Sequence, residues 1–296
     1  MKIFYDHHYT GAEHAFDTTR KSAAIADAVG TRQLDGVHLC EPSVGAIAAA
    51  TAGIHHMHSI DYVEALRTGD DQGLAGSQGF QWCPGIWTMA VHSTAGVIAA
   101  TDAALVDGAA GSLSSGLHHA KPDHGDGFCT VNGLAIASAR LAADGKRVVV
   151  LDFDAHCGGG TAAMIATHDL GESIRHRDLS TNRFDRYEAT HPDDRLVIES
   201  GGDSAYIDAA EQMLDEIDWA STDIVLYNAG VDIHPGLGRL TVATRERLVF
   251  ERASTESTPI AWVLAGGYTW GITMDELVDL HWQTIDAASG LVTTGR

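Results

Sequence analysis

Three short stretches carry most of the chemistry this chain can offer: LDFDAHCGGGT at 151–161, YNAGVDIH at 227–234 and LAGGYTW at 264–270. Each starts as an apolar run and ends in polar residues and glycine. Asp152, Asp154 and His156 alternate, so their side chains fall on one side of the chain for as long as it stays extended. Carboxylates and imidazole suit zinc or another divalent first-row ion, and Asp232 adds a third carboxylate. Asp154, His156 and Asp232 together would leave an open position for water, as a catalytic site requires. Each piece alone has an ordinary explanation: Asp232 as a turn residue, Tyr268 as a packed tyrosine, His118-His119 as a solvated loop pair. Agreement among four separate segments favours a shared site.

Alternating strand and helix patterns supply the means of positioning these groups. Strands are expected at 1–5, 35–39, 147–153, 224–227 and 260–264, and helices at 18–29, 59–66, 88–105, 132–143 and from 162 to about 168. The run RVVVLDF at 147–153 is continuously apolar and β-branched, as befits a strand covered on both faces. The segments 69–87 and 112–131 have neither period and read as loops. The expected fold class is α/β, a mostly parallel sheet layered by helices, with ligands gathered at the carboxyl ends of the strands. No internal repeat or linker appears, so one domain over 1–296 is expected.

Composition narrows the function. Forty Asp+Glu against 19 Lys+Arg give a net charge of −21, which repels nucleic acid and anionic membranes and attracts cationic partners. The chain has no unbroken run of 18 apolar residues and no basic leader ahead of an apolar stretch, so a soluble, cytoplasmic protein is expected. Four cysteines without a C-x-x-C pair indicate neither a disulfide framework nor a thiolate zinc site. Among 17 histidines, three tandem pairs stand out: His7-His8, His55-His56 and His118-His119.

The stretches GLHHA (116–120), GFCTVNGLAIA (127–137), VLDFDAHCGGGT (150–161), GGDSAYIDA (201–209), YNAGVDIHPGLGRL (227–240) and LAGGY (264–268), with the weaker HSIDYVEAL (58–66), occur in this order. In this combination the chain resembles the zinc-dependent histone deacetylase family, including its bacterial acetylpolyamine and acetyl-lysine amidohydrolase relatives. The resemblance implies an arginase/deacetylase-like fold and a catalytic metal, zinc or ferrous iron, on Asp154, His156 and Asp232. It also implies that His118 and His119 are the tandem histidines, with Asp152 the buried partner of His118. His119 would take a proton from the metal-activated water, Tyr268 would donate to the developing oxyanion, and Phe128, with Gly127 before it, would line the acyl-chain tunnel. A structural potassium ion is also implied, with Ser180 as a candidate ligand.

The chain departs from that family at several places, one of them after Asp232, where the usual longer acidic stretch before the L-G motif is shortened to IHPG. Cys157 stands for the second histidine of D-x-D-x-H-H-G-D/N-G, and Gly159 for the Asp or Asn that orients the second tandem histidine. His119 should therefore have a lowered pKa unless another acidic group replaces the missing one. In QWCPG (81–85), Trp82 occupies the place of a rim aspartate that clamps a peptide backbone, which disfavours a protein substrate. AFDTTRKSAAIA (15–26) looks more like the polyamine-type branch. The expected activity is hydrolysis of a small cationic N-acylated amine. The alternatives are deacetylation of protein lysine or of a secondary-metabolite intermediate, and a metal-binding scaffold without catalysis. A homo-oligomer is compatible with all of these.

Overall fold

The computed structural model describes residues 1–10 and 17–294. Among these, eight strands form one sheet in the order β2-β1-β3-β8-β7-β4-β5-β6, every neighbouring pair parallel. The strands are β1 Lys2–Phe4, β2 His38–Cys40, β3 Ala109–Ser112, β4 Val148–Asp152, β5 Ile174–Ser180, β6 Arg195–Ile198, β7 Ile224–Gly230 and β8 Ile260–Ala265. The helices are α1 Asp17–Arg32, α2 Val44–Met57, α3 Ile60–Thr68, α4 Gln72–Ala75, α5 Gly85–Asp107, α6 Gly133–Ala143, α7 Gly159–Thr167, α8 Asp203–Asp215, α9 Arg239–Thr255 and α10 Met274–Thr294. Of the stretch 15–26, residues 15 and 16 lie outside the described residues.

The central strands are buried throughout, and their side chains alternate between two apolar layers. Val149, Leu151, Val225, Tyr227, Trp262 and Leu264 join the layer covered by α8, α9 and α10. Val148, Val150, Ile224, Leu226, Ala261 and Val263 join the layer covered by α2, α5 and α6. Each such aliphatic side chain contributes about 1.5–3 kcal/mol of burial, so a charge placed at Val150 would break both strand and layer. Helix α5 is long and apolar enough to cross a membrane, yet 15 of its residues are buried against α2, α6 and the sheet. It is the buried packing helix that its Ala-rich sequence suggests.

Two caps tie helices to the functional loops. Ser59 accepts the Tyr62 amide at the start of α3. Asn132 accepts the Ala135 amide at the start of α6, while its own side-chain amide donates to the carbonyls of His118 and Ala120. The helix start thus holds the tandem histidines in place.

Some elements differ from the sequence expectation. The strand expected at 35–39 forms at His38–Cys40, and the loop at 69–87 contains the short α4. Strand β3, sequence AAGS, lacks branched residues because it lies close under α5, and β5, sequence IRHRDLS, is polar because it carries buried ionic groups.

Candidate active site

Strand register sets the site. Asp152 on β4 pairs with Asn228 on β7, and Gly230 at the end of β7 pairs with Ala265 at the end of β8, so all three polar stretches emerge side by side. Donor atoms of Asp154, His156 and Asp232 lie within 4.8 Å of one another. His156 Nδ1 is 3.1 Å from Asp154 Oδ1 and 3.0 Å from Asp232 Oδ2. The latter contact lacks hydrogen-bond angles, which leaves a buried carboxylate oxygen without a hydrogen bond. Burial alone would lower the His156 pKa, but Asp154 and Asp232 push it up to about 10. Burial, and then the charge of Asp154, raises the pKa of Asp232. Two buried carboxylates around one imidazole are short of a cation, and their oxygen and nitrogen donors fit a divalent transition ion. Behind them, the buried Arg245 Nη1 donates to the carbonyls of Phe153 at 2.8 Å and Gly230 at 2.7 Å, binding together the strand ends that carry the carboxylates.

The tandem histidines sit beside this group, each on its own carboxylate. His118 Nδ1 donates to Asp152 Oδ2 at 2.7 Å, and Asn228 Nδ2 donates to the other oxygen of Asp152 at 2.8 Å. His119 Nδ1 donates to Asp185 Oδ2 at 2.9 Å, and Lys121 Nζ donates to Asp185 Oδ1 at 2.6 Å. The two Nε2 atoms are 3.1 Å apart. Burial would lower the pKa of His118, but Asp152 and Asp154 override it and raise it to about 10. Burial, and then the charge on His118, lowers His119 to about 4 against the pull of Asp185. The surroundings therefore push the two rings in opposite directions, His118 toward imidazolium and His119 toward the neutral form.

Asp185 resolves the question raised by Gly159. A Cβ on Gly159 would lie 2.4 Å from Asp185 Oδ1 and 2.3 Å from the Asp185 backbone oxygen, so the place of the missing side chain is already filled. His119 has its acidic partner, delivered from the loop after β5 rather than from residue 159.

Aromatic rings complete the surroundings. Gly127 has φ +50°, and a Cβ there would lie 2.4 Å from the His119 ring, so only glycine lets this backbone pass. Phe128 follows, its amide donating to the Gln78 carbonyl and its ring 5.5 Å from Phe80. Phe184 meets His119 and His156 edge to face, at 4.9 and 5.8 Å. Tyr268 stacks on Trp270 at 4.7 Å. Burial, then the charges of Asp232 and Asp154, raises the Tyr268 pKa and keeps its hydroxyl a donor.

Residues 14–178 match the model of the histone deacetylase domain. The chain belongs to the histone deacetylase family. It is 32% identical over 232 residues to an uncharacterized protein of Picosynechococcus, across 75% of this chain and 77% of that one. Identity to a probable deacetylase of Archaeoglobus fulgidus is 25% over 223 residues (69% of this chain, 60% of the relative). Identity to the acetoin utilization protein AcuC of Staphylococcus xylosus is 25% over 253 residues (75% and 63%). The fold resembles the crystal structure of acetylpolyamine aminohydrolase from Burkholderia pseudomallei, with a TM-score of 0.74 over 98% of this chain and 99% of that one, at 19% identity.

Within this histone deacetylase frame, one sequence expectation needs correcting. Trp82 does not stand over the site as a substrate contact: its indole N–H donates to the Leu66 carbonyl at 2.9 Å, and its ring covers Gly69 at the end of α3. A half-buried indole needs an acceptor, and a helix C-terminal carbonyl provides one. The Ser180 hydroxyl donates to Asp178 at 2.6 Å. Asp178 belongs with Asp152 and His176 to a second, fully buried group within reach of a single cation.

The sequence reading missed Asp185, Phe184 and Lys121, and also Lys21, which is buried and donates to the Gly266 carbonyl two residues before Tyr268. The local signal was the aromatic-acidic pair Phe184-Asp185 itself, which does not say what it meets.

Proposed function

We propose that this chain is a metal-dependent deacetylase that hydrolyses a small cationic N-acylated amine. The observation that carries the reading is the pair of His–carboxylate couples, Nε2 atoms 3.1 Å apart, set against the Asp154–His156–Asp232 group. Membership of the family, the relatives named deacetylase and AcuC, and the acetylpolyamine aminohydrolase fold support it.

Asp154, His156 and Asp232 would hold zinc or ferrous iron, which when bound supplies Lewis acidity toward an amide carbonyl and toward water. His119, neutral at Nε2, accepts the proton of the attacking water, and Asp185 fixes its ring and steadies the charge it gains. His118, kept protonated by Asp152, supplies positive charge beside the reacting centre and a proton for the departing amine. The Tyr268 hydroxyl donates to the carbonyl oxygen as it becomes an oxyanion. Water adds across the C–N bond, leaving a carboxylate and an amine. Phe184 and Phe128 shield the acyl group from solvent.

The net charge of −21 supports a cationic substrate. With Trp82 turned to α3, position 82 offers no carboxylate to clamp a peptide backbone. The deciding experiment is a panel of N-acetylated amines, free acetyl-lysine and acetylated histone-tail peptides, assayed with metal analysis in parallel. Higher kcat/KM on the small amines is expected, with the preference weakening as salt rises. Equal efficiency on long peptides would overturn the substrate class, and no turnover of any amide would favour a non-catalytic scaffold.

A further inference from the structure

The tandem pair His7-His8 takes no part in the active site, yet it is built around a buried charge. Asp6 follows β1 and is 7% exposed. Its Oδ1 accepts the backbone amide of His8 at 2.8 Å and lies 2.7 Å from His8 Nδ1 and 3.4 Å from His7 Nδ1. Its Oδ2 accepts from His92 Nδ1 on α5 at 2.8 Å. The three rings lie in a row, tilted to one another, with centroids 3.8 Å apart for His7 and His8 and 4.3 Å apart for His8 and His92. Donor atoms of Asp6, His7 and His8 all lie within 4.8 Å of one another.

We infer that Asp6, His7 and His8 form a second metal site for a divalent first-row ion of the zinc class, with His92 orienting the carboxylate. One carboxylate and two imidazoles are the donor set such ions prefer, and a water completes four ligands. The His92 N–H holds Asp6 from its far oxygen, which is the outer-shell hydrogen bond that fixes ligands in metal sites. The His7 side chain is 77% exposed, so an ion has a way in, while Asp6 and His92 anchor the site to the body of the protein. An ion there would tie the N-terminal turn at His7–Thr10 to α5.

The test strips the protein with chelator and titrates it with Co2+, counting bound ions per chain. Wild type should bind one more Co2+ than Asp6→Asn and one more than His7→Ala/His8→Ala, and Zn2+ should raise the Tm of wild type more than that of either variant. Equal stoichiometry in all three would overturn the site. So would loss of an ion only in His7→Ala/His8→Ala, because an exposed histidine pair alone would then be the chelator. Should Asp6→Asn fail to fold, His7→Ala decides: loss of affinity supports the site and an unchanged titration overturns it.

Discussion

The two histidine–carboxylate couples do similar chemistry with different support. Asp152 ends β4, paired by register with Asp178 on one side and Asn228 on the other, and is wholly buried. Asp185 stands in the loop between β5 and β6, with its side chain 8% exposed and one oxygen shared with Lys121. A group held by the strand ladder cannot move without disturbing the sheet. A group on a loop can be exchanged, and here the carboxylate comes from residue 185 while residue 159 is reduced to glycine to admit it. What the base requires is a carboxylate at a point in space, and the chain position that supplies it is negotiable.

The contrast can be broken most forcefully at the strand-borne member. Asp152→Asn should cost about 3–5 kcal/mol of stability in denaturant unfolding and abolish turnover, because it leaves a buried imidazolium unpaired. In the metal-free protein the sign is set by His118 and by His156, pushed up likewise. The pKa of His118 rises on folding from 6.5 to about 10, so its contribution is full below pH 6.5 and is lost as pH rises through about 10. Stability of the wild type should fall across that window, and the fall should be shallower in Asp152→Asn, where the share of His156 remains. A variant with wild-type stability and the same slope would dissolve the distinction.

Tyr268 asks whether loop-borne groups are dispensable as a class. Tyr268→Phe should lower kcat roughly 10²–10³-fold with metal content unchanged, the usual loss for one oxyanion donor. A near-normal kcat would remove Tyr268 from the reaction.

Asp185→Asn should be milder, about 10–100-fold in kcat/KM, with the fold retained. Removing the carboxylate takes away its upward pull on His119, so the acidic limb of the pH–rate profile should move to lower pH. Superimposable profiles would show that Asp185 does not tune the base. The smallest effect belongs to Trp82→Phe. It should cost about 0.5–1.5 kcal/mol of stability for the lost hydrogen bond and leave kcat/KM on small amines alone. A large rise in KM would return Trp82 to the substrate.

What the sequence revealed follows the same division. The β-branched runs of β4, β7 and β8 announce covered strands, and their ends therefore name Asp152, Asp154, His156, Asp232 and Tyr268. Strand β3 has only small residues, and β5 interleaves Arg, His and Asp whose buried partners lie elsewhere in the chain, so neither shows an apolar pattern. Nothing near Asp185 in sequence indicates that it meets His119, 66 residues earlier. Trp82 was legible as an aromatic near the rim, but its direction depends on an acceptor at Leu66, which only the fold brings near.

The position of β8 in the sheet also dictates the order of assembly. β8 is the last strand in the chain and lies between β3 and β7, near the middle of the sheet. While the chain is being synthesised, β2-β1-β3 and β7-β4-β5-β6 can each form a ribbon, but the facing edges of β3 and β7 stay bare until residues 260–265 arrive. Open parallel edges of buried strands invite mispairing, so a nascent chain is most vulnerable to aggregation after β7 has formed and before residues 260–265 emerge. The turn that follows β8 carries Tyr268. Joining the two ribbons and supplying the oxyanion donor are thus one late event, and a chain stopped short of residue 260 would hold Asp154, His156 and Asp232 on a split sheet without Tyr268.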